Sequence, residues 1–159
     1  MTFVSEKIID GIAEQFGEDE KAYESTIQDL QRRQPILLAY LFSENFEVFT
    51  QSEREFMLYL LLVVWRSYEE VHGPLAMVTE AQMEVMEENN WTLINEVRGG
   101  RFRDRLDVFF DRTPQEDVLA FIEDALVDDE DDLVSTEGRE AMFVTLKSMV
   151  DCLEEIANR

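Results

Sequence analysis

Apolar residues recur every three or four positions through most of this 159-residue chain. Nowhere do they alternate with polar residues between turn signals. The pattern therefore predicts helices and no strand. The helical stretches fall at about 4–16, 20–33, 35–43, 53–72, 79–97, 102–111 and 114–127, with an eighth at about 136–157. Their predicted starts carry capping chemistry. In Thr113-Pro114-Gln115-Glu116 the hydroxyl can accept from an orphan backbone N–H, proline lacks only a donor that had no partner, and Glu116 closes a capping box. Ser52-Glu53-Arg54-Glu55 and Thr79-Glu80-Ala81-Gln82 have the same form. Gly73-Pro74 and Gly99-Gly100 punctuate the chain between helices. The expected fold class is all-α: a compact single-domain bundle of seven or eight helices.

Two of these stretches differ in character. Segment 136–157 carries a stripe of Met142, Leu146, Met149, Val150, Leu153 and Ile156, with Lys147, Asp151, Glu154 and Glu155 outside it. That reads as a peripheral helix. Segment 53–72 is apolar almost all round, from Phe56 to Trp65 without interruption, and reads as the central buried helix. The run is ten residues long, half of the roughly 20 a bilayer span requires, so no membrane segment is expected. The two helices align without gaps at an offset of 85, Arg54-Glu55-Phe56-Met57 over Arg139-Glu140-Ala141-Met142 and Leu61 over Leu146. The register extends to a pseudo-repeat of 36–71 and 121–156, each a short helix, a linker and a long helix. Duplication would produce this pattern, and shared helical periodicity produces it without common ancestry.

Charge narrows the range of partners. Fourteen basic residues against thirty-six acidic ones leave a net charge of −22. Direct binding of nucleic-acid phosphates needs clustered Lys and Arg, so it is not expected. A basic protein partner is expected instead, because a large net charge speeds salt-sensitive association with the opposite sign. The arginines are unevenly placed. Arg98, Arg101, Arg103, Arg105 and Arg112 lie within fifteen residues that also hold Asp104, Asp107 and Asp111, giving +2, whereas residues 113–159 sum to −11. The acidic run Asp128-Asp129-Glu130-Asp131-Asp132 and the pair Glu154-Glu155 are the carboxylates expected to receive the arginines Arg98 to Arg105. The contact is expected within one chain, or between two copies in a homodimer.

Little else suggests chemistry. Glu69-Glu70-Val71-His72 has the Glu-x-x-His spacing of carboxylate-bridged metal bundles, but His72 is the sole histidine. Beside Gly73-Pro74 it is better placed to meet the carbonyls of its own helix end. A calcium loop starting at Asp128 would need Gly and Glu where Leu133 and Arg139 stand. Cys152 is the only cysteine, which excludes an intrachain disulfide and a multi-cysteine zinc site. It reads as a helix thiol in a reducing, cytoplasmic setting. Asn90 interrupts the Met83, Met86, Ile94 stripe and would need hydrogen-bond partners if it faces the core. No cofactor is called for. The residues favour a non-enzymatic interaction domain, with Asp128 to Asp132 and Arg98, Arg101 and Arg103 as its binding residues. A small metal-dependent or hydrolytic enzyme using interhelical carboxylates is the alternative.

Overall fold

The computed structural model of the protein describes residues 3–42, 49–127 and 136–159. Helices α1 (Glu6–Glu18), α2 (Glu20–Arg33), α3 (Pro35–Leu41) and α4 (Gln51–His72) form the first half. Helix α5 (Glu80–Asn95), the short α6 (Phe102–Arg105) and α7 (Asp107–Phe110), α8 (Glu116–Val127) and α9 (Thr136–Ala157) form the second. There is no strand among the described residues. Helices α6 and α7 replace the single helix predicted over 102–111, since the helix breaks at Leu106, whose side chain is buried.

The caps show why the helices begin where they do. Thr79 and Gln82 form the predicted capping box of α5. On α4 the box is made by Thr50 with Glu53, two residues upstream of the predicted Ser52. Two fully buried glutamines then hold extended segments in place. The Gln34 side chain donates to the Ala76 carbonyl (2.7 Å) and accepts from the Val78 N–H (2.8 Å). Gln115 accepts from the Val4 N–H (2.9 Å) and donates to Glu154 (3.0 Å). Both satisfy backbone groups that burial would otherwise leave unpaired.

Helix α4 lies at the centre of the first half, against α1, α2, α3 and α9. Its residues 60–65 are all buried, in keeping with the uninterrupted apolar run. Helix α9 is not peripheral. Residues 142–150 are buried without a break, and α9 packs on α4, α5 and α8. Its polar positions are covered because they have partners. Ser148 accepts from Asn90 of α5 (3.0 Å) and donates to the Val144 carbonyl. Lys147 pairs with Asp151, and its ammonium sits 5.6 Å from the centre of the Phe109 ring. Asn90 also donates to Asp151 (2.9 Å), so this buried amide is satisfied. Its neighbour Trp91 is partly buried against the core.

The two stretches matched at an offset of 85 each fold as a short helix and a 22-residue helix, α3 with α4 and α8 with α9. The short helix packs on the long one in both. No helix among the described residues is long and apolar enough to cross a membrane.

Arg105 joins the two ends of this second half. Positive φ at Gly99 and Gly100 (67° and 95°), a conformation that suits glycine, turns the chain after α5. Arg105 then points back at the helix it has left. It donates to the carbonyls of Val97 (2.9 Å), Gly99 (3.2 Å) and Ile94 (3.4 Å), and pairs with Glu140 of α9 (2.8 Å). Arg105→Gln should lower stability by about 2 kcal/mol, because charged hydrogen bonds and the orphan carbonyls of a helix end are lost together. Arg103→Gln should cost less than about 1 kcal/mol, as expected of an exposed pair. Urea unfolding of both variants checks the order.

Candidate functional site

Helix α8 carries apolar residues beyond those it buries fully. Val118, Leu119, Ile122 and Leu126 are buried. The next face, Asp117, Ala120, Phe121, Asp124 and Ala125, follows the helical spacing i, i+3, i+4, i+7, i+8 and turns toward α1. There it meets Glu6, Ile9 and Asp10. The two helices enclose a groove of about 470 Å³ with Ile9, Ala120, Phe121 and Ala125 as its floor and four carboxylates around it.

The groove is held by its own termini. Ser5 caps α1 by accepting from the Ile8 N–H. The Glu6 N–H donates to Asp117 (2.9 Å), and the buried contact of Val4 with Gln115 lies two residues earlier on both segments. Asp117 and Asp124 are thus already in contacts with the protein, the latter with Arg103 (3.3 Å). Asp10 and Glu6 are exposed on the other side, where they present charge to solvent.

The sequence-predicted binding residues are placed differently. The run Asp128, Asp129, Glu130, Asp131 and Asp132 lies outside the described residues. Arg103 pairs with Glu123 (2.7 Å) and Asp124 of α8, and Arg105 with Glu140. Arg98 and Arg101 are exposed; among the described residues neither side chain has a hydrogen bond or ion pair. Glu154 and Glu155 are not the acceptors of these arginines. Glu154 accepts from Tyr68 (2.7 Å), Gln115 and Asn158, and Glu155 from Gln82 (3.0 Å) and Arg159. The fold brings both glutamates beside α4 and α5, away from the turn that carries the arginines.

The remaining candidates serve the interior. Glu69 takes both guanidinium nitrogens of Arg33, an ion pair to Arg66 (3.5 Å) and the Leu75 N–H. The His72 ring stacks on Tyr68, centroids 5.8 Å apart. Among the described residues no three His, Cys, Asp or Glu side chains gather where they could hold a metal ion. Cys152 is buried, and burial together with the nearby carboxylates of Asp151 and Glu155 pushes its thiol up to about 12. At neutral pH it is a thiol and a poor nucleophile. Burial also raises the Glu123 carboxyl, against the opposing pull of Arg103.

The chain matches no protein-family model, no curated protein and no solved structure.

The periodicity over 114–127 predicts a helix and does not predict the groove. Its signal is in Glu116–Val127 nonetheless: Ala120, Phe121 and Ala125 lie off the stripe of Val118, Leu119, Ile122 and Leu126, and that surplus must face something.

Proposed function

We propose that the protein is a non-enzymatic, cytoplasmic interaction domain whose acidic surface engages a basic protein partner, and that the α1/α8 groove is where the partner seats. The observation that carries the reading is the pairing of an apolar floor with a carboxylate rim in one groove. Such a groove fits an amphipathic basic helix, which would lay its apolar residues on Phe121, Ala120 and Ala125 and its lysines against Glu6, Asp10, Asp117 and Asp124. The net charge of −22 would speed the encounter, and the apolar contact would hold the complex.

Fluorescence anisotropy with two labelled helical peptides of equal positive charge tests this, one of Lys and Leu, the other of Lys and Ser. The Lys/Leu peptide should bind more tightly, and Phe121→Ala should weaken it about tenfold. Asp10→Lys should weaken both peptides, and added salt should do likewise. Equal binding of the two peptides, or indifference to Phe121→Ala in a variant with unchanged circular dichroism, would mean that the surface only attracts polycations.

A further inference from the structure

A second cleft has the opposite chemistry. Arg101 at the start of α6 and Phe102, Arg103 and Asp104 within it face Val127 at the end of α8 and Arg139 on the first turns of α9, enclosing about 300 Å³. Three arginines line it in a chain that carries eleven in all and a net charge of −22. They are not equivalent. Arg103 is neutralised by Glu123 and Asp124. Arg101 is exposed, with no side-chain partner among the described residues. The Arg139 guanidinium lies 5.6 Å from the centre of the Phe102 ring, and its buried Nε has no hydrogen-bond partner among the described residues.

A buried guanidinium N–H without an acceptor costs free energy that an oxyanion would recover. Asp104 is the one carboxylate among the described residues that line the cleft, and no described carboxylate pairs with Arg101 or Arg139. Their planar forks suit an oxyanion approached from two sides. Phe102 and Val127 add apolar wall for whatever bears it. Such a cleft is at the small end of small-molecule sites.

We infer that this cleft between α6 and the facing ends of α8 and α9 binds the phosphate group of a small organic molecule, with Arg101 and Arg139 as its cationic ligands. A phosphate monoester, with close to two negative charges and three acceptor oxygens at neutral pH, can engage both arginines at once. The site takes one phosphate and offers no basic stripe along which a nucleic-acid backbone could run. The overall negative charge repels anions at long range, so affinity must come from these local contacts.

The experiment is a titration of the full chain with inorganic phosphate and with phenyl phosphate, followed by ³¹P NMR line broadening and by thermal denaturation. Sodium chloride at matched ionic strength is the control, since screening alone should stabilise so acidic a protein. Saturable broadening and a rise in Tm beyond that in chloride are expected, with phenyl phosphate binding more tightly because its ring meets Phe102 and Val127. Arg101→Gln changes an exposed side chain and should fold normally; it should weaken binding at least tenfold, and Arg139→Gln should do the same. Phosphate and chloride curves that coincide, or undiminished binding by Arg101→Gln, would overturn the assignment. Phosphate binding that appears only after Asp128 to Asp132 are changed to Asn and Gln would overturn it too, showing that the chain's own carboxylates occupy the arginines.

Discussion

Raising the pH from 9 to 11 should strip away a large part of the protein's stability, and tyrosinate absorbance should appear only together with loss of helix. All four tyrosines and the only cysteine are held on the protonated side of their ordinary ranges. Burial is the first cause at each of them. At Tyr68 the hydrogen bond to Glu154 adds to it, as does the contact of Tyr40 with Glu87. Below about pH 8 the folded and unfolded chains both keep these protons, and stability does not respond to them. Above it the unfolded chain releases them while the folded chain retains them, so stability falls as pH rises. Tyr68 and Cys152 are fully buried. Each should cost about 1.4 kcal/mol per pH unit beyond its unfolded value. Together they should remove roughly 4 kcal/mol by pH 11, a large part of the 5–15 kcal/mol typical of a folded domain. Absorbance at 295 nm and circular dichroism at 222 nm, recorded on one sample, decide the matter. Tyrosines that titrate near pH 10 while the helical signal persists would mean that the rings are open to solvent.

Trp65→Ala should be the most damaging single substitution in α4, at about 4 kcal/mol. The indole is completely buried, and a cavity of that size in a packed core costs 3–5 kcal/mol. It is also the surface on which two cations rest, the guanidinium carbons of Arg33 and Arg66 lying 5.3 and 5.1 Å from the ring centre. Those arginines reach it because Glu69 holds both and Asp29 holds Arg66 (3.0 Å). Removing the ring therefore loosens the α2–α4 contact as well as the core. Glu69→Gln should cost about 2 kcal/mol, since it weakens the charged hydrogen bonds and leaves the ring in place. Urea midpoints measured on both variants check the ranking. A Trp65→Ala loss below that of Glu69→Gln would mean that the ion network, and not the ring, organises this contact.

The two arginine predictions differ for a related reason. Arg103 meets its carboxylates with its side chain 47% exposed, whereas that of Arg105 is 18% exposed. Water and salt screen the first contact far more than the second. Counting charges along the fifteen-residue window treats these two arginines alike; their depth in the fold separates them.

Local rules determined the helices of this protein. Spacing, capping residues and glycines act within a few residues, so α2 and α9 begin and end where periodicity placed them, and α4 starts two residues early because Thr50, not Ser52, meets Glu53. Composition also set the net charge. Tertiary structure alone decided which polar residues would be buried. In the sequence Lys147 reads as part of an exposed face and Asn90 as an interruption, yet both are buried, as is Ser148. The bonds that satisfy Asn90 span 58 residues to Ser148 and 61 to Asp151, a distance no helical period reports. It likewise decided which carboxylates these arginines meet, because the turn at Gly99 and Gly100 aims Arg105 at Ile94, Val97 and Glu140 rather than at Glu154 and Glu155. The groove between α1 and α8 arises in the same way: its apolar and acidic residues come from helices more than a hundred positions apart, and only packing brings them to one surface.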